Sequence, residues 1–163
     1  IYKDGIIYHA SKMGSILNYL SYDLIKFISE IKTRFRRNFR YKELYNKSVG
    51  YHGFNLYAFA LIERHIPGYI PKDLLTKIKK PLSNKNIFIS EEAKLFGFFY
   101  NKTGPEFEFF NLVFNNKSNT DWIGLQLNLT YENDHKIFAK NSSDYNTSLA
   151  RAYELIRVIE CSK

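Results

Sequence analysis

The chain has few cross-links and few breaks. Its single cysteine, Cys161, excludes an intrachain disulfide framework. Only four prolines and eight glycines interrupt 163 residues, which leaves room for long helices. No stretch approaches the roughly 18 consecutive apolar residues of a membrane-spanning helix. The histidines His9, His52, His65 and His135 show no ligand spacing and Cys161 has no partner, so no metal site is expected. Neither a phosphate-binding glycine loop nor a nucleophile elbow occurs, and no cofactor is expected. There is no initiator Met and no visible signal peptide. The opening Ile1-Tyr2-Lys3-Asp4-Gly5-Ile6-Ile7-Tyr8 reads as the middle of a phrase. Residues 1–163 are therefore expected to form a single helical domain, the C-terminal part of a longer chain. The alternative is a chain whose first residues have been left out. The lone cysteine and the missing signal peptide favour a reducing compartment, the cytoplasm.

Aromatic rings are abundant, with 13 Tyr and 14 Phe. A core can absorb the Phe. So many Tyr, each with a polar tip, are expected at a boundary, a groove or the surface. An AT-rich coding sequence, which enriches Asn, Lys, Ile, Tyr and Phe together, accounts for part of this excess. The net charge is +8 and unevenly placed. Segment 26–47 carries eight cations against Glu30 and Glu43, and segment 72–85 carries five against Asp73. Such patches suit nucleic acid, anionic lipid or an anionic polysaccharide. In Lys32-Thr33-Arg34-Phe35-Arg36-Arg37-Asn38-Phe39-Arg40 the cations alternate with aromatics, as RNA-binding segments do. Yet Phe35 and Phe39 share one helical face, which leaves the arginines on an ordinary solvated one.

The apolar periodicity is helical almost throughout. Met13, Ile16, Leu17, Leu20, Leu24, Phe27, Ile28 and Ile31 predict a helix over 10–32, extending to about Tyr45 with a break. Residues 50–65 predict a second helix, apolar nearly all round from Phe54 to Ile62 and hence buried, ended by Pro67-Gly68. Pro71 opens a short helix over 71–80 that Pro81 stops. Ser90 caps a helix running from Glu91 to about Tyr100. Thr103-Gly104-Pro105-Glu106 fits a capping box before a helix over 104–115, with Phe107, Phe110, Val113 and Phe114 as its stripe. Residues 120–131 read as helix, although alternation from Ile123 to Leu129 also permits a strand. Asp144 or Thr147 caps a last helix with Leu149, Ala152, Tyr153, Ile156 and Ile159 buried, and with Arg151, Glu154 and Arg157 able to pair. The fold class is all-α, built of antiparallel helical hairpins.

Two places carry candidate chemistry. In Tyr51-His52-Gly53-Phe54-Asn55, His52 and Asn55 share a face at the start of a buried helix, where a polar pair can face a ligand. Histidine is the natural acid/base near neutral pH. The structural alternative is that His52 bonds at a helix end and Asn55 fills a core bond. In Tyr100-Asn101-Lys102-Thr103-Gly104-Pro105-Glu106-Phe107-Glu108, a tight loop feeds a helix. Glu106 and Glu108 point in different directions, so they form no acid/base pair alone. Glu106 is expected in the capping box, and Glu108 is open to either role.

Three stretches resemble the late hairpins of (α/α) toroid proteins, the six-hairpin glycosidases, polysaccharide lyases and uronate epimerases. They are the helix opening Tyr51-His52-Gly53-Phe54-Asn55-Leu56-Tyr57, the loop Tyr100 to Glu108, and Thr147-Ser148-Leu149-Ala150-Arg151-Ala152-Tyr153-Glu154. The matching stretches run over 50–62, 100–109 and 146–157, together about a fifth of the chain. The resemblance implies half of an (α/α) toroid, since a complete ring needs about twice as many helices. It implies a carbohydrate-active protein that acts on or binds a polysaccharide, an anionic one included, through an aromatic-lined funnel. His52 and Glu108 would then be catalytic, and Tyr51, Asn55, Tyr100 and Asn101 would bind substrate. Glycoside hydrolase, lyase and epimerase all fit it. The other reading is a non-catalytic helical module contacting nucleic acid or an acidic protein partner through segments 32–42 and 72–85.

Overall fold

The computed structural model describes residues 1–9, 26–93, 96–115, 121–131 and 145–161. Seven α-helices lie among them: α1 (Lys26–His65), α2 (Lys72–Lys79), α3 (Asn86–Ile89), α4 (Phe98–Asn101), α5 (Gly104–Asn115), α6 (Asp121–Thr130) and α7 (Tyr145–Cys161). No strand occurs among the described residues, so the chain is all-α and the strand alternative for 123–129 falls.

The centre is α5. Every residue from Asn101 to Phe110 is buried, and α1, α6 and α7 all pack on this helix. The expected stripe Phe107, Phe110, Val113 and Phe114 does face the core, but Phe109 is buried as well. The reason is position: a helix enclosed on several sides needs apolar residues all round. Phe88, Phe98, Phe107 and Trp122 form one ring cluster, with Phe107 and Trp122 centroids 4.6 Å apart. Full burial of each ring is worth about 1.5–3 kcal/mol. This cluster ties α3, α4, α5 and α6 together.

Several expectations are corrected. The first two predicted helices are one unbroken helix over Lys26–His65, while the predicted start at 10–25 lies outside the described residues. Gly50 and Gly53 read as a helix start because glycine weakens a helix interior. They are there for contact instead. A Cβ on Gly50 would sit 1.6 Å from the Phe96 carbonyl oxygen, and one on Gly53 would sit 2.7 Å from Thr103 Cβ. Burial is not all round either: Phe54, Ala58 and Ile62, spaced by four, are exposed. The short helix ends at Lys79, just before Pro81 as expected, and a separate 3₁₀ turn over Lys80–Ser83 follows it. The helix expected over 91–100 is a 3₁₀ turn at Glu91–Ala93 and the separate α4. Gly97 separates them with a φ/ψ of −93°/−140°. Ser90 still caps, its Oγ accepting the Ala93 N–H at 3.3 Å. Thr147 lies inside α7, which begins at Tyr145, and Asp144 is outside the described residues.

The last helix is turned relative to its predicted stripe. Tyr153, Ile156 and Ile159 are exposed, and among the described side chains of this helix Arg151 and Val158, seven apart, are buried; Leu149 and Ala152 lie outside the described side chains. A buried arginine is the feature an apolar stripe cannot anticipate, because its placement depends on the carboxylates it meets.

The N-terminal segment is pinned against α1 and α2. Ile6 is fully buried. Gly5 turns the chain with φ +98°, and a Cβ there would meet the Lys77 carbonyl oxygen at 2.1 Å. Only glycine meets both demands without strain.

Candidate functional site

Two of the polar residues singled out from the sequence, His52 and Asn101, bond the backbone on different sides of α1. His52 is fully buried. Its Nδ1 accepts the Ile7 N–H at 3.3 Å, and its Nε2–H donates to the Ile78 carbonyl at 3.1 Å. Both ring nitrogens are thus engaged, and the ring is fixed as the Nε2–H tautomer. Burial pushes its pKa down to about 4, against the Ile78 hydrogen bond, which opposes the shift. The imidazole is neutral at physiological pH and joins the N-terminal segment, α1 and α2.

Asn101 is buried and acts in the same manner. Its Nδ2 donates to the carbonyls of Gly50, at 3.1 Å, and Phe96, at 2.6 Å. Gln126 holds the other side of the stretch. Its Oε1 accepts the Gly104 N–H at 3.0 Å, one of the N–H groups left over at the start of α5. Its Nε2 donates to the Phe98 carbonyl at 2.9 Å. Between these latches Lys102 stands at φ +53°, a left-handed conformation that costs a lysine about 1–2 kcal/mol. Its ammonium donates to the Phe99 carbonyl, and burial holds its pKa down near 8.

Glu106 does not close a capping box. Its Oε1 accepts Arg151 Nη1 at 2.5 Å, and the same nitrogen donates to Glu154 Oε1 at 2.6 Å. Glu106 is fully buried, Glu154 half-buried. Burial pushes the Glu106 carboxyl well above its ordinary value; Arg151 opposes this, and the Glu154 charge adds to it. One guanidinium thus serves two carboxylates, Glu106 inside and Glu154 at the boundary. The Arg151 guanidinium also lies 4.8 Å from the Phe54 ring centroid, beneath an exposed face of α1. Nearby, Arg157 donates to the Tyr57 hydroxyl at 2.6 Å. Sequence reading registered Arg151, Glu154 and Arg157 as partners along one helix. It missed that Arg151 reaches inward to Glu106 and Phe54.

The candidates are therefore brought together only in part. His52, Asn101 and Glu108 are buried, while Tyr51, Asn55 and Tyr100 are half-buried. Tyr51 stacks on His9, with centroids 4.1 Å apart and planes 3° from parallel. Among the described residues no group of three His, Cys, Asp or Glu could hold a metal ion. None of the described helices is long and apolar enough to cross a membrane.

In segment 72–85 part of the positive charge is paired, while in segment 32–42 the cations before Lys42 lie outside the described side chains. Lys77 pairs with Asp73 at 3.9 Å, and Lys85 pairs with Asp121 at 3.1 Å above the Trp122 ring. Lys79 donates to Asn115 Oδ1 at 2.8 Å. In segment 32–42, Lys42 lies 3.9 Å from Glu92.

The chain is 27% identical over 170 aligned positions to Archaeal glycosylation protein Q of Haloferax volcanii. The alignment takes in 97% of this chain and 46% of that protein, so the chain spans about half the length of the curated relative it matches. No family model matches the chain, and no solved structure matches it.

Proposed function

We propose that this chain is part of a protein that engages carbohydrate, and that ligand is met where α1 and α7 adjoin. The observation that carries the reading is the similarity, along nearly the whole chain, to a protein named for glycosylation. The geometry supports it with the elements sugar recognition uses. Phe54 offers an exposed ring, half-buried Glu154 supplies a carboxylate one turn along α7 from Arg151, and buried Arg151, held by Glu106, backs the Phe54 ring from beneath. Half-buried Tyr51 and Asn55 on α1 belong to the ligand-contacting group, and Tyr100 follows them. His52 and Asn101 are enclosed beneath the site and hold backbone of the surrounding segments, and Glu108 is enclosed with them. An anionic polysaccharide is included by the net charge of +8.

Calorimetric titration with cellotetraose, mannotetraose, chitotetraose and tetragalacturonate tests the reading. Chromatography of the same mixtures separates binding from turnover. Binding of at least one tetrasaccharide, weakened by Phe54→Ala with helicity retained, is the expected result. No detectable binding of any of the four, at concentrations up to about millimolar, would sink it.

A further inference from the structure

We propose that the N-terminal turn and the middle of α1 build a second carbohydrate contact, a tyrosine platform that stacks on the face of a pyranose ring. The inference rests on the carbohydrate reading above but concerns different residues. Four tyrosines meet here. The Tyr2 ring lies 5.5 Å from Tyr8, 5.8 Å from Tyr41 and 5.2 Å from Tyr45, tilted against the first and edge-on to the other two. Tyr2 and Tyr45 are half-buried, but Tyr8 and Tyr41 are 52% and 59% exposed. Two large rings are thus held in place by a third while much of their own surface stays in water.

The platform is rigid before any ligand arrives. Tyr45 Oη donates to Asp4 Oδ2 at 2.5 Å, and Asp4 Oδ1 accepts the Ile6 N–H at 3.2 Å. Ile7 N–H reaches His52, and His9 N–H reaches Ser48 Oγ at 3.0 Å. The chain on either side of Tyr8 is therefore fixed to α1, which carries Tyr41 and Tyr45. Rings immobilised in this way lose little further entropy on binding, the property that makes tyrosine a strong contact residue.

The chemistry of the ligand follows from what is filled and what is open. An ammonium ligand wants an enclosed aromatic box. Here the middle of the group is occupied by Tyr2 itself, so no box is left. What is offered instead is the outer surface of Tyr8 and Tyr41, beside the Asp4 carboxylate and the tyrosine hydroxyls. A pyranose presents an apolar C–H face to a ring and hydroxyl donors to a carboxylate, and it fits both.

The test uses Tyr8→Ala and Tyr41→Ala, with Tyr69→Ala and Tyr153→Ala as controls at tyrosines that are 65% and 72% exposed elsewhere. Binding of cellotetraose, mannotetraose and chitotetraose is followed by calorimetry and by saturation-transfer NMR. Circular dichroism confirms retained helicity. Each platform variant should weaken binding of the preferred tetrasaccharide about tenfold, the loss of one aromatic contact, while the controls stay within about twofold of wild type. Tetramethylammonium at tens of millimolar should leave sugar binding unchanged. Tetrasaccharide binding that survives both platform substitutions, that falls equally in the controls, or that is displaced by tetramethylammonium overturns the platform alone. Absence of any binding to wild type overturns the platform together with the carbohydrate reading.

Discussion

Replacing His52 by Gln isolates the energetic role of the buried imidazole. Glutamine keeps a donor for the Ile78 carbonyl but removes the titrating group. The ring's pKa is held down from an ordinary 6.5 to about 4 because burial disfavours its charged form. Above pH 6.5 it is neutral in both folded and unfolded chains and adds no pH dependence. As pH falls from 6.5 towards 4, the unfolded chain takes up a proton that the folded protein refuses, and stability is lost. Across the whole interval the loss is about 3 kcal/mol, at 1.36 kcal/mol per pH unit. Glu106 works in the opposite sense. Its folded value is raised, so its contribution is present in acid and fades as pH rises through that value. A titration of wild type alone would mix the two. The difference between wild type and His52→Gln removes Glu106 from the comparison. Urea unfolding followed by circular dichroism at pH 7.5, 6, 5 and 4 gives that difference directly. The wild-type advantage should shrink by about 3 kcal/mol between pH 7.5 and 4, almost all of it below pH 6.5. A difference that stays flat within about 0.5 kcal/mol, or grows towards acid, would refute the assignment of a neutral, doubly bonded His52.

Two glycine substitutions make opposite predictions from one physical argument. Gly50→Ala places a Cβ 1.6 Å from the Phe96 carbonyl oxygen, so backbone must move; a destabilisation of about 3 kcal/mol is expected in urea unfolding, and a loss below about 1 kcal/mol would contradict the close packing. Gly124→Ala on α6 meets nothing within 4 Å, so the helix should gain about 0.5–1 kcal/mol, read as a higher melting temperature; a lower one would count against open space at that position.

The helical class was legible because apolar residues recur at three and four throughout, and because proline and serine mark boundaries locally. Ser90 could be read as a cap since its partner is three residues away. Long-range contact was not legible. Gly50 and Gly53 look like breaks until Phe96 and Thr103 arrive from fifty residues downstream to occupy the space. The rotation of α7 has the same origin. Its apolar residues nominate Tyr153, Ile156 and Ile159 for the core, but the Arg151–Glu106 pair draws the adjoining face inward instead. A buried arginine separated from its carboxylate costs several kcal/mol, more than the partial exposure of a few apolar side chains.

The candidate site shows the same division at finer scale. Adjacent residues on a helix point about 100° apart, so two neighbouring polar side chains rarely serve one purpose. Tyr51 and His52 are such neighbours: His52 turns into the core and bonds two backbone segments, while Tyr51 stays at the boundary against His9. Tyr100 and Asn101 repeat the pattern, with Asn101 latching Gly50 and Phe96 and Tyr100 half-buried beside it. A sequence shows that both members are polar, but not which of them faces inward. On the carbohydrate reading proposed above, the inner member holds backbone and the outer one meets the ligand. Glu106 and Glu108 escape this split because α5 is enclosed on several sides and buries both. Ligand contact is therefore to be sought among the outer residues, Tyr51, Phe54 and Tyr100 with the platform at Tyr8 and Tyr41.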